Sequence, residues 1–250
     1  MILQDTLPFD LTETRPLPNV APLQMADWVQ VDDAHAAQKD ERDRLIRSRR
    51  AEVHALSDAA RPAADELLSL VLDWLPTGYS VDKASVIRPD GVTVLLDRAD
   101  PLATAGRLVQ EDLCLLEKPP GGDEHLLTGA VLCFPSGWTL AQKMLRPLTA
   151  IHTPVPEYDD VLARRVQRLF DGVRPDRPLM RFNRLWQNDP ALFQPRPRPG
   201  PHPDPQAAPF FRSERQCIVR LPVTGATVFS IHTYVPRRER VAAPSAATPA

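Results

Sequence analysis

The block Ile151-His152-Thr153-Pro154-Val155-Pro156 sets one imidazole just past a short amphipathic segment and just ahead of a Pro-Val-Pro that fixes the backbone. A chain built this way presents a histidine to a buried metal or haem, and His152 is the candidate ligand. His35, His54, His125 and His202 stand in charged or loop contexts and read as surface residues. Cys114, Cys133 and Cys217 lie far apart in apolar runs. They suggest neither a disulfide framework nor a CxxC-type metal site, and read as buried reduced thiols.

Thirty basic against 32 acidic residues give a formal charge of −2, so neither nucleic acid nor an anionic membrane is an electrostatically favoured partner. The N-terminus lacks the basic flank and apolar run of a signal peptide. No window approaches the roughly 18 apolar residues of a spanning helix. The expected location is the cytoplasm. A Gly-rich phosphate loop and a GxSxG elbow are also missing, which argues against nucleotide binding and serine hydrolysis.

The elements that must position His152 follow from pattern. A Pro- and Gly-free stretch from Asp33 to Leu56 reads as a long charged helix, and Pro62 to Leu75 as an apolar one stopped by Pro76-Thr77-Gly78. Ser85–Arg88 and Val92–Leu96 around Asp90-Gly91 read as a hairpin. A short helix over 104–111 feeds apolar strands at 113–116 and 126–134. Thr139 caps a helix to Leu145, and Pro156 to Val173 forms a longer amphipathic one. Strands then return at 179–185, 214–221 and 227–235, the last two joined across Thr224-Gly225. Helices first and an antiparallel sheet afterwards make the fold class α+β. The 28 prolines cluster at the ends and in one loop. Residues 1–25 thus read as an extended Pro-rich arm, 26–236 as one domain with a Pro-rich loop at 194–210, and 237–250 as a disordered tail.

Several blocks in order carry a resemblance: Leu108-Val109-Gln110-Glu111-Asp112-Leu113, Cys133-Phe134-Pro135-Ser136-Gly137-Trp138, Lys143 with Arg146-Pro147-Leu148, the His152 block, Arg181-Phe182-Asn183, Glu214-Arg215-Gln216 and Thr233-Tyr234. Over roughly residues 15 to 236 the chain resembles the haem-dependent oxidative N-demethylase alpha-subunit family. The resemblance implies a PAS-like antiparallel sheet cupping haem b, with the iron held by His152. It also implies oxidative demethylation of a small secondary amine such as dimethylamine, using O₂. Electrons would come from a partner reductase carrying FMN and a 2Fe-2S cluster, since this chain has neither the cysteine spacing nor a nucleotide fingerprint for them. A non-catalytic PAS-type haem sensor or carrier is the alternative, and a haem-free interaction module is a third reading.

Within that frame further residues acquire roles. Glu214 and Arg215 open a strand, where a solvated pair is the ordinary reading. Aimed into the pocket, the carboxylate would hold a protonated amine, and the guanidinium would orient that carboxylate, bind a propionate or polarise O₂. Lys143 and Arg146, one turn apart, form either a solvated basic face or an anchor for haem propionates. Trp138 packs nearby or lies beside the macrocycle. One departure stands out. The family pattern carries Arg before Thr-Tyr in the last strand, whereas this chain has His232. Facing the pocket, His232 would replace a permanent cation with a group titrating near neutrality, or would supply a second axial ligand.

Overall fold

The computed structural model describes residues 1–7, 19–152, 160–196 and 203–242. The chain is α+β, with a largely antiparallel sheet and several helices. Strands β1 (Ala21–Pro22), β2 (His54–Leu56), β6 (Asp112–Glu117), β7 (Leu126–Val131), β8 (Leu179–Gln187), β9 (Phe210–Arg220) and β10 (Thr227–Tyr234) form one seven-stranded sheet in the order β1-β8-β9-β10-β6-β7-β2. A smaller sheet joins β3 (Ser80–Val81), β4 (Ser85–Ile87) and β5 (Thr93–Leu95).

The helices divide between two cores. Alternation along each strand sends successive side chains to opposite faces. On one face Leu113, Leu115, Val131, Cys217, Val219 and Val228 join Trp28 and the buried residues of α1 (His35–Ser48), α3 (Arg61–Asp73) and α4 (Pro101–Leu108). On the other, Cys114, Leu116, Ala130, Ile218 and Ile231 meet Leu140 of α5 (Leu140–Lys143), Leu148 of α6 (Leu148–His152) and Phe170 of α7 (Asp160–Gly172). Arg220 of β9 secures α7 by donating to Phe170 O and to Val173 O, which lie at its C-terminal end, where carbonyls lack partners within the helix. All three cysteines are buried and free.

Three local expectations change. The run from Asp33 to Leu56 does not remain one helix. Arg49 leaves helical geometry, α2 (Arg50–Val53) makes a single turn, and β2 pairs with β7. No breaker marks this point, because the ladder to β7 outweighs local helix propensity. The helix capped by Thr139 ends at Lys143, and Leu145 takes a φ of +59°, incompatible with continuation. Downstream, Arg238–Ala242, assigned to a disordered tail, forms the short helix α8.

Gly106 shows how tightly α4 lies on the sheet. A Cβ there would sit 2.6 and 2.7 Å from the two γ-methyls of Val131. Gly106→Ala regains about 1 kcal/mol of helix propensity, but overpacking a stiff β-branched neighbour costs about 1–3 kcal/mol. A lower urea midpoint at unchanged slope is expected, and an unchanged or raised midpoint would refute the tight contact.

Candidate functional site

Register assigns the site residues to faces, because direct cross-strand partners share one. Thr233, Glu214 and Asn183 form one row across β10, β9 and β8, and Ile231, Gln216 and Arg181 form the next row on the same face. This is the face covered by α5, α6 and α7. His232, Arg215 and Phe182 form a row on the opposite face.

The structure therefore separates Glu214 from Arg215, and the expectation that this guanidinium orients that carboxylate is not met. Arg215 is buried and donates to Trp28 O at 3.0 Å and Asp27 O at 2.7 Å, so it holds the N-terminal segment. It lines a cleft of about 270 Å³ with Asp27, Gln30, Met180 and Phe182, on the side away from Glu214. Glu214 is 13% exposed at its side chain. Arg212 Nε donates to its Oε1 at 3.1 Å and Gln216 Nε2 to its Oε2 at 3.2 Å. Two further polar groups lie on this face. Arg181 Nε and Thr233 Oγ1 are buried without a hydrogen-bond partner among the described residues. Burial lowers the pKa of Arg181, and the charge of Glu214 works in the other direction.

His232 occupies a different setting from the one expected. Its Nδ1 lies 3.0 Å from Glu111 Oε1 and its Nε2 3.1 Å from Asp32 Oδ2, so both ring nitrogens are engaged. Burial opposes charge on the ring, yet the hydrogen bonds and charges of the two carboxylates outweigh it and push the pKa up to about 9. Asp32 is pushed down to about 2, since His232, Gln110 and Gln4 together overcome its own desolvation. His232 is thus held in its charged form near neutral pH, and both ring nitrogens are occupied by carboxylate oxygens rather than free for iron. Gln4 and Gln38 extend the cluster by donating to Thr233 O at 3.2 and 3.0 Å.

The remaining expected residues lie around α5 and α6. Lys143 Nζ sits 4.4 Å from the centre of the Trp138 ring and donates to Ile151 O at 2.8 Å. Burial pushes its pKa down to about 8. Arg146 is exposed beyond the break at Leu145, so the two cations do not form one helical face. Trp138, Met144 and Ile151 pack on the second core. His152 ends α6; its side chain and the following Thr153 to Pro156 lie outside the described residues. His35 and His125 are buried rather than on the surface, at 5% and 2% exposure. His35 Nε2 lies 3.4 Å from Tyr79 Oη, and His125 Nδ1 lies 2.9 Å from Gln167 Nε2.

Sequence reasoning gave Arg181, Arg212, Gln216 and Thr233 no role. Alternation counted from Glu214 would have found Arg212 and Gln216, and register across the Thr224-Gly225 turn would have added Thr233.

A carboxylate, a guanidinium and a hydroxyl share the sheet face on which Trp138 and Ile151 pack, with Lys143 against the Trp138 ring. The chain matches the model for "Haem-dependent oxidative N-demethylase, alpha subunit-like" over residues 19–248. It belongs to that family. The family is haem-dependent, and its description as alpha-subunit-like points to partner subunits. No curated protein matches the chain. No helix among the described residues is long and apolar enough to cross a membrane. No three His, Cys, Asp or Glu side chains converge there as a metal cluster either. A haem iron needs only one protein ligand, because the macrocycle supplies the equatorial nitrogens.

Proposed function

We propose that this chain is the haem-bearing subunit of an oxidative N-demethylase with a PAS-like fold. It takes O₂ and a small secondary amine such as dimethylamine, and receives electrons from a separate flavin and iron-sulfur reductase. The observation that carries this reading is Glu214, a carboxylate that keeps 13% exposure, with Arg181 Nε and Thr233 Oγ1 unsatisfied on the same face among the described residues. Unmet buried donors cost roughly 1–3 kcal/mol each, so they favour a polar ligand.

An apolar face with a few polar groups is the kind of surface that haem b would need. Phe229, Ile231, Met144, Ile151 and Trp138 supply apolar surface on the same sheet face, and Lys143 lies against the Trp138 ring. In this reading His152 holds the iron, Lys143 and Arg146 meet the propionates, and Trp138 packs on the macrocycle. Bound there, haem would supply O₂ activation. Glu214 would bind the ammonium form by its N–H groups, then accept one proton at a carboxylate oxygen to free the nitrogen lone pair. Arg181 and Thr233 would orient oxygen atoms near it by hydrogen bonding. Release of one methyl as formaldehyde requires O₂, two electrons and two protons, leaving the primary amine and water.

The test is the absorption spectrum of haem-supplied protein, compared among wild type, His152→Ala and Glu214→Gln, with and without dimethylamine. A Soret band that dimethylamine shifts is expected in the wild type. His152→Ala should lose or displace the band, and Glu214→Gln should keep the band but lose the shift. Folded, haem-supplied wild type without a Soret band would overturn the haem reading. A haem spectrum indifferent to amine would favour a non-catalytic sensor or carrier.

A further inference from the structure

Arg212 is buried at 1% exposure on the face of Glu214, two residues before it. Each of its three nitrogens is engaged: Nε with Glu214 Oε1 at 3.1 Å, Nη1 with Leu192 O at 3.2 Å and Nη2 with Phe134 O at 2.6 Å. The same Phe134 donates its N–H to Asp112 Oδ2 at 3.0 Å, and Asp112 is ion-paired to Arg42 at 2.6 Å. One guanidinium thereby ties the carboxylate to the turn that leads to Trp138 and α5. Gln216, two residues after Glu214, makes its one side-chain hydrogen bond among the described residues to the second carboxylate oxygen.

We infer that Arg212 and Gln216 are positioning residues that select ammonium ions bearing at least two N–H bonds over those bearing one or none. A carboxylate offers about four acceptor sites, two on each oxygen. Arg212 fills one site on Oε1 and Gln216 one on Oε2, so each oxygen keeps one. A protonated secondary amine presents two N–H bonds, which match the pair that remains. A tertiary ammonium presents one and a quaternary ammonium none. Because Arg212 is anchored at Phe134 and Leu192, it restrains the carboxylate so that the two remaining sites keep their relative placement. The inference rests on the reading of this face as an amine site and adds how that site discriminates.

Dissociation constants for dimethylammonium, trimethylammonium and tetramethylammonium would be measured on haem-loaded full chain, by calorimetry and by the amine-induced spectral change. Wild type is expected to prefer dimethylammonium over trimethylammonium by about tenfold, the loss of one charge-assisted hydrogen bond. Arg212→Gln should weaken dimethylammonium about tenfold or more and erase the preference. In a Glu214→Gln background, Arg212→Gln should cause no further loss, which a general structural role would not reproduce. Should Arg212→Gln not fold, Gln216→Leu carries the same test, since its side chain is half-exposed and bonded only to Glu214 among the described residues. Additive losses in the double variant, or an intact preference in either single variant, would overturn the inference. Wild type that binds no amine at all would overturn the amine site itself, and the inference with it. Wild type that binds all three ions equally would overturn the inference alone.

Discussion

Asp112→Ala is expected to lower unfolding free energy by about 3–5 kcal/mol, a large part of the roughly 5–15 kcal/mol typical of a domain. Asp112 is fully buried and accepts from Arg42 Nη1 at 2.6 Å, Cys133 N at 2.6 Å and Phe134 N at 3.0 Å. Alanine would leave a fully buried guanidinium without its countercharge and two buried amides without an acceptor. Arg42 would keep its bonds to Gly106 O and Glu111 O, but carbonyl dipoles do not neutralise a charge. Urea unfolding at neutral pH reads the effect directly. A loss below about 1 kcal/mol would mean that water or repacking satisfies Arg42 despite its full burial.

The second large effect is a dependence of stability on alkaline pH. The folded pKa of His232, about 9, lies above its ordinary 6.5. Stability from this group is therefore complete below about pH 6.5 and is lost as pH rises through about 9. The linked free energy is about 3 kcal/mol. Asp32 acts in the opposite sense: its pKa falls from 3.8 to about 2, so its contribution is present above about pH 4 and is lost on acidification toward 2. The cluster is most stabilising between these limits. Chemical denaturation at pH 6, 7.5, 9 and 10 should show a steep decline in wild type and a shallower one in His232→Gln, whose baseline stability is lower. Equal slopes would show that the ring is not charged in the folded protein.

Much of the scaffold was legible because it rests on local signals. Proline in the first turn of α3, the Thr139–Gln142 capping box of α5 and the Thr224-Gly225 turn each announce an element in a few residues. The β2 edge strand was hidden, since only its partner β7 reveals it. The candidate site was half legible. Glu214 could be singled out by type, but Arg215 was paired with it by adjacency, where alternation sends neighbours to opposite faces. His232 could be noticed as a departure, whereas its ionisation depends on Asp32 and Glu111, which lie 200 and 121 residues away in sequence. His35 and His125 misled for the same reason, because Tyr79 and Gln167 come from distant elements.

The strand order also constrains how the molecule is made. Among the described residues β10 is the last strand in sequence, yet it lies in the interior of the sheet, between β9 and β6. Until it is synthesised, β6 keeps an unpaired edge and the two halves of the sheet have no ladder between them. Closure must await contacts of high sequence separation, the topology associated with slow folding. A chain emerging from N- to C-terminus thus exposes an apolar strand edge until β10 is made, the kind of edge that invites misassembly.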